Sequence, residues 1–292
     1  MHLLNADLHC HSTVSDGTLA PDQLAARAQS RGVQLWALTD HDSVDGLAVA
    51  REAALDLGLG FLAGTEISVS FAGESVHIVG LGFDAADAAL VAGLAAIRAG
   101  RLQRARDMAA DLARAGIPGA FEGALAYVDA PESISRTHFA RFLVERGVCA
   151  DVGEVFRRFL VEGKPGFVPH RWARLGDAVR WIRGAGGIAI VAHPARYRFS
   201  PTLEYALFSE FAAHGGQGVE VMVGAHSEAE RRHYAAIATE FGLAASRGSD
   251  FHDPDESRVD LGALPDLPGT LEPVWERLAS RIEGRADAFA AS

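Results

Sequence analysis

Gln34-Leu35-Trp36-Ala37-Leu38-Thr39-Asp40-His41-Asp42 is an apolar run that stops abruptly in three side chains able to hold a metal or a proton. Its shortness and its lack of a polar face read as a buried strand. A helix over Val44 to Leu57 follows, with Gly58 as its stop. The same unit recurs on both sides. Leu3 to Leu8 leads into His9-Cys10-His11-Ser12, and Pro21 then opens a helix over Asp22 to Ser30. Phe61 to Ile67 reads as a strand carrying Glu66, and Val76 to Leu81 as one carrying His77, with a turn at Ala72-Gly73-Glu74 between them. Further on, Ile188 to Ala192 ends in His193-Pro194, Gly218 to Val223 ends near His226, and Leu243 to Ser246 ends near Asp250-Phe251-His252. Helices over Leu175 to Arg183, Pro201 to Ala213 and Glu228 to Phe241 separate these strands. The fold class is therefore α/β, with about seven strands mostly joined by helices. Polar clusters at the carboxyl ends of strands suit a (β/α) barrel, and a doubly wound open sheet would place ligands similarly. From Asp84 to about Phe159 the pattern is helical, with no convincing strand. This divides the chain into a discontinuous barrel domain, 1–83 and 166–292, and a helical insertion or cap, 84–165.

Composition narrows the function. The 292 residues carry a net charge of −11, which disfavours a nonspecific grip on long duplex nucleic acid. A small phosphorylated ligand held by a few local arginines remains compatible with it, although the charge could equally serve solubility alone. No apolar run is long enough for a membrane span. The opening MHLLNADLHCHS lacks the basic and long apolar segments of a secretory leader. Two widely spaced cysteines, Cys10 and Cys149, fit free thiols in a cytoplasmic protein.

His9 and His11 sit two residues apart, so an extended chain points both imidazoles to one side and Cys10 to the other. Taken singly, each such feature has a plain alternative. Asp40 and Asp42 could be turn or helix-cap residues, Ser15-Asp16-Gly17 a turn, and Glu66 a strand-end side chain facing water. Placement at several successive strand ends is what tells against chance. Imidazoles and carboxylates gathered on one barrel face form a site for divalent ions, and the mixed N/O donors suit Mn²⁺, Zn²⁺ or Fe²⁺.

The segments Asp7-Leu8-His9-Cys10-His11-Ser12, Thr39-Asp40-His41-Asp42, Ala192-His193-Pro194 and Ser249-Asp250-Phe251-His252 resemble, in order, the four motifs of the PHP (polymerase and histidinol phosphatase) superfamily. That resemblance implies a distorted (β/α)7 barrel with a helical insertion domain and a centre of two or three metals, Mn²⁺ first. It implies one ligand group of His9, His11, Glu66 and Asp250, a second of Glu66, His77 and His193, and a third of Asp16, His41 and His252. Some relatives have His where this chain has Asp16. In the SDGTLAP and TDHDSVDG segments the chain is most similar to bacterial 3′,5′-nucleoside bisphosphate phosphatases. Hydrolysis of a 3′-phosphate, giving AMP from adenosine 3′,5′-bisphosphate, is thus the implied reaction. Metal coordination lowers the pKa of water towards neutrality, so the expected attack is by hydroxide, in line on phosphorus. The alternatives are 5′-3′ exonuclease action on short RNA, another phosphomonoesterase such as histidinol phosphatase, a metal hydrolase acting on an amide, and a metal-stabilised binding module.

A second phosphate needs its own cationic grip, for which Arg136, His138, Arg171, Arg198 and His226 are the candidates. His138 and His226 also join His9, His11, Glu66 and Asp250 as candidate catalytic residues. Tyr197 and Phe199 could stack on a base or simply pack. His2, His170, His214 and His233 read as non-catalytic.

Overall fold

A computed structural model describes residues 4–128 and 130–284. In chain order its main elements are β1 (Ala6–Asp7), α1 (Pro21–Ser30), β2 (Leu35–Leu38), α2 (Leu47–Asp56), β3 (Gly60–Phe71) and β4 (Glu74–Leu81). The helices α3 (Ala88–Arg114), α4 (Ala120–Leu125), α5 (Arg136–Glu145) and α6 (Val152–Val155) follow. The alternation then resumes with β5 (Ala173–Arg174), α7 (Leu175–Gly184), β6 (Ile188–Val191), α8 (Pro201–Ala213), β7 (Gly218–Val223), α9 (Glu228–Phe241), β8 (Ala244–Gly248) and α10 (Val274–Arg277).

The strands run in the order β1-β2-β3-β4-β6-β7-β8, and the two-residue β5 pairs with β3 off this path. Leu8 N–H donates to the Arg247 carbonyl, so β1 and β8 meet and the seven strands nearly close into a barrel. The distortion is at β4, antiparallel to both β3 and β6, whereas the other neighbouring pairs are parallel. The fold is thus the distorted barrel with added helices that the resemblance implied.

Strand alternation fills the barrel and places the site. Leu62, Val79, Leu81, Ile188, Ile190 and Ala244 fill the interior, which α10 closes at one end with Val274. Trp36, Phe61, Ile67, Val219 and Ala245 face outwards, under the helices. Glu66 shares parity with Leu62, His77 with Val79, and Glu220 with Gly218, so all three project inwards above the apolar plug. A Cβ at Gly248 would fall 2.3 Å from that of His9, and only glycine lets β8 pass β1 this closely.

Two strand boundaries depart from the sequence reading. β3 continues to Phe71, because its outer half forms an antiparallel ladder with β4 from Gly64↔Leu81 to Phe71↔Glu74. Glu66 is therefore mid-strand, not at a strand end. β1 is confined to two residues, and the expected start at Leu3 lies outside the described residues, as does His2.

Among the described residues, Asp84 to Phe159 holds no strand. Its core changes along α3: Leu90, Leu94 and Ile97 pack into the barrel's outer layer, while Ala105, Met108 and Leu112 join a separate cluster with Phe139, Leu143 and Leu160. Ser135 caps α5 by accepting from Thr137 N–H, and Ser227 with Glu230 forms a capping box for α9. No described helix is long and apolar enough to cross a membrane.

Candidate metal centre

Glu66 stands at the focus, fully buried. One carboxylate oxygen lies 2.9 Å from His77 Nδ1, 2.8 Å from His193 Nε2 and 3.4 Å from His9 Nε2. The other lies 2.8 Å from His41 Nδ1 and 3.3 Å from His11 Nε2. The β2–β3 pairing brings His41 here, since its backbone continues the ladder beside Glu66. Asp250 Oδ1 is 3.4 Å from His11 Nε2 and 3.6 Å from His9 Nε2. Asp16 Oδ1 is 3.4 Å from His252 Nε2 and 3.7 Å from His41 Nε2. Gly17 lets that loop turn in, as a Cβ there would fall 2.1 Å from the His11 carbonyl oxygen.

All nine sequence-predicted ligand candidates thus converge. Four overlapping groups have donor atoms within 4.8 Å of one another: His11, Asp16, His41 and His252; His9, Glu66 and His193; His9, His11 and Asp250; and His41, Glu66 and His77. The grouping differs in detail from the one the resemblance implied, because His11 also reaches the Asp16 set and His41 the His77 set.

These donors fit divalent ions. Asp16 Oδ1, His41 Nδ1, Glu66 Oε2, His193 Nδ1 and Asp250 Oδ1 are buried without hydrogen-bond partners. So many orphaned atoms in one place are costly unless a cation satisfies them. Nε2 of His9 and Nε2 of His11 lie 3.2 Å apart, as lone pairs converging on a common centre do. Burial, then repulsion from His252 and His41, pulls His11 down to about 3, and burial pulls His77 to about 4 against the attraction of Glu66. Both are neutral donors near pH 7. Burial would raise Glu66, but His77, His41 and His9 hold it well below the usual carboxylate range. His193 and Asp250 occupy positive φ, 26° and 58°, which is costly backbone geometry at the site.

The surrounding carboxylates explain how the ligands are held, and several escaped the sequence reading. Glu220, buried in β7, accepts from His9 Nδ1 at 2.7 Å and from the His193 backbone N–H at 2.6 Å. It fixes the His9 tautomer that presents Nε2 to the centre, and it braces the strained His193. A lone carboxylate in the apolar run Gly218-Val219-Glu220-Val221-Met222-Val223 was the available signal. Glu220→Gln is expected to weaken metal binding about 10- to 100-fold, read by competition with a chelator; wild-type affinity would remove this role. Asp40, whose plain alternative was a turn or helix-cap residue, caps no helix and accepts from Ser12 N–H and the Ser12 and Ser15 hydroxyls. Asp42 likewise accepts from Ser68 and pairs with Arg101. Cys10 faces away from the histidines, receiving Trp36 Nε1–H.

The centre opens into a cavity of about 910 Å³. Arg136 and Arg198 line it, as expected; Arg171 is exposed and does not, and is replaced by the unforeseen Arg101, Arg104 and Arg196. The long α3 helix brings Arg101 and Arg104 across from a distant part of the sequence. His138 and His226 are buried behind the lining rather than part of it. His138 Nδ1 accepts from Ser135 N–H, and burial lowers its pKa to about 4. His226 donates from Nδ1 to the Val221 carbonyl and stacks on Tyr234. Tyr197 lines the cavity, but its hydroxyl is engaged with Ala192 O and His77 N–H, while Phe199 packs against Phe71. His170, His214 and His233 lie outside the cluster.

Comparison with known proteins agrees with this geometry. The PHP domain family matches residues 7–121. The chain is 52% identical, over 98% of its length and 100% of the relative's, to the 3′,5′-nucleoside bisphosphate phosphatase of Chromobacterium violaceum. It is 42% identical, over 93% of its length and 98% of the relative's, to a 5′-3′ exoribonuclease of Haemophilus influenzae. Among solved structures it is similar to an amidohydrolase from Chromobacterium violaceum with bound sulfate and no metal. The TM-score there is 0.94 at 53% identity, covering 97% of this chain and 99% of the other.

Proposed function

We propose, because this chain belongs to the PHP family, that it removes the 3′-phosphate of nucleoside 3′,5′-bisphosphates, converting adenosine 3′,5′-bisphosphate to AMP and phosphate. The chain is a metal-dependent phosphoric ester hydrolase. The observation that carries the reading is the ring of His9, His11, His41, His77 and His193 around the buried carboxylate of Glu66, at the floor of an arginine-lined cavity. His9, His11, Glu66 and Asp250 would hold one ion, Glu66, His77 and His193 a second, and Asp16, His41 and His252 a third. Bound ions would supply an acidified water and neutralise the phosphoryl oxygens during in-line displacement. Nitrogen and oxygen donors without a thiolate favour Mn²⁺, with Zn²⁺ and Fe²⁺ as competing choices.

The chain's own part is preorganisation. Glu220 orients His9, and Ser135 and Thr137 donate to Asp16 Oδ2 at 3.1 and 3.0 Å, tying α5 to the centre. Arg196 pairs with Asp250 Oδ2 at 2.8 Å and reaches the cavity, where it can meet a phosphoryl oxygen. His138 and His226 stand behind these groups as supports rather than proton donors to the substrate.

The cavity lies near the upper end of the roughly 300–1,000 Å³ of small-molecule sites, large enough for more than a mononucleotide. With the identity to an exoribonuclease, this favours short 5′-phosphorylated RNA as a second substrate. A cytoplasmic setting is proposed from the two unpaired cysteines. The test is product analysis in ¹⁸O-water with Mn²⁺-loaded protein and adenosine 3′,5′-bisphosphate. The expected products are 5′-AMP and singly labelled inorganic phosphate. Adenosine 3′-monophosphate as product would overturn the regiochemistry, and label in the nucleoside would overturn attack at phosphorus.

A further inference from the structure

We propose that the Tyr197 hydroxyl is a positioning group for the second ion, inserted into the β4–β6 ladder in place of one main-chain hydrogen bond, where it sets the spacing of His77 and His193 around Glu66. This rests on the metal-centre reading above. The ladder runs from Leu81↔Ile188 to Ile78↔Val191 and stops one pair short of His77 and Ala192. Ala192 N–H donates to the His77 carbonyl at 3.1 Å, so in an antiparallel sheet this is a pair that exchanges both of its N–H···O bonds. The return bond is not direct. His77 N–H donates to the Tyr197 hydroxyl at 2.9 Å, and that hydroxyl donates to the Ala192 carbonyl at 2.9 Å.

The wedge is one-sided. One bond of the pair is closed and the other is bridged, so β4 and β6 splay at the point where they carry two ligand candidates. His77 is itself a member of the bridged pair, and His193 follows Ala192 directly. Their rings stand edge to face with centroids 5.3 Å apart. Each brings a nitrogen to the same Glu66 oxygen, at 2.9 Å for His77 and 2.8 Å for His193. A direct bond here would draw the two strands together and change the separation of those nitrogens.

The chain folds back sharply to make this contact. The turn Pro194–Tyr197 lies between His193 at φ 26° and Arg198 at φ 50°, and neither is glycine. Backbone of this kind is costly and persists only where its surroundings over-determine it. Three contacts do so here. Glu220 accepts from His193 N–H at 2.6 Å, Arg196 pairs with Asp250 at 2.8 Å, and Tyr197 reaches back to Ala192. The Tyr197 ring stands edge-on to His193 at 5.7 Å and beside Phe199 at 5.6 Å, so packing fixes the direction of its hydroxyl. A phenylalanine would fill the same space and leave His77 N–H and the Ala192 carbonyl without their bridge.

The test compares Tyr197→Phe with Tyr234→Phe. The control removes the hydroxyl of another buried tyrosine, which donates to Glu204 at 2.8 Å, outside the ligand cluster. Mn²⁺ stoichiometry and affinity are measured on each full-length protein by competition with a chelator, and Tm alongside. Both variants are expected to lose roughly 2–4 °C in Tm. Only Tyr197→Phe is expected to bind one equivalent of Mn²⁺ about tenfold more weakly, with the remaining equivalents held as in the wild type. Tyr197→p-aminophenylalanine, whose amine can donate to Ala192 and accept from His77, should restore that affinity. Wild-type affinity for every ion in Tyr197→Phe, an equal weakening of all of them, the same loss in Tyr234→Phe, or no rescue by the amine would each overturn the positioning role. Should Tyr197→Phe not fold, the amine variant decides: wild-type affinity for every ion upholds the role, and weakened binding overturns it. If the wild-type protein binds no divalent ion, the metal-centre reading itself fails and the inference falls with it.

Discussion

Glu66→Gln is expected to lower kcat/KM for the bisphosphate by on the order of 10³-fold or more, a barrier increase of about 4 kcal/mol. Glutamine matches glutamate in shape but removes the negative charge that faces His9, His11, His41, His77 and His193. It also puts an NH₂ group where a second lone-pair oxygen was, opposing one of the two ions that would share this carboxylate. Metal content and turnover should fall together in the same preparation, while a circular dichroism spectrum shows the barrel intact. Wild-type turnover with full metal content would mean that Glu66 is not the shared ligand.

Removing the metals should have the second largest effect. After treatment with a chelator, phosphate release is expected to vanish and to return on adding Mn²⁺. The apo protein should also melt lower. Ions that bind only the folded chain at about 100 times their Kd add roughly 2.7 kcal/mol, or about 5–10 °C in Tm for a chain of this size. The structural reason is the set of buried atoms without hydrogen-bond partners, which bound ions would satisfy. Loading should weaken as pH falls. Burial alone would lower the His252 pKa, but Asp16 and Asp250 beside it raise it to about 9, so near neutrality an ion must displace a proton there. A melt and an activity unaffected by exhaustive chelation would contradict the metal centre.

Backbone periodicity made much of the site legible in the sequence. His9 and His11, His193, and Asp250 with His252 could be picked out because each comes directly after a short apolar run, and a buried strand delivers the next side chains to the barrel mouth. His77 was legible as a polar side chain on a strand, although β4 runs antiparallel. Glu66 was identified while its strand was read too short, since the β3–β4 ladder depends on a pairing partner that periodicity does not reveal. Glu220 was missed because a single acid in a strand looks like a solvated edge until its neighbours His9 and His193 are known. The arginines were the least legible. Arg104 and Arg171 look alike in sequence, and only the path of α3 and the Trp172 platform separate a cavity wall from a surface.

The most direct test of the central claim is a comparison of kcat/KM, by phosphate release with the Mn²⁺-loaded protein, across adenosine 3′,5′-bisphosphate, the 2′-, 3′- and 5′-monophosphates, histidinol phosphate and short 5′-phosphorylated RNA. The bisphosphate is expected to exceed every monophosphate and histidinol phosphate by at least about tenfold, equivalent to about 1.4 kcal/mol of transition-state stabilisation from the second phosphate. A preference for histidinol phosphate or for a nucleoside monophosphate, or no turnover of any ester by metal-replete protein, would contradict it.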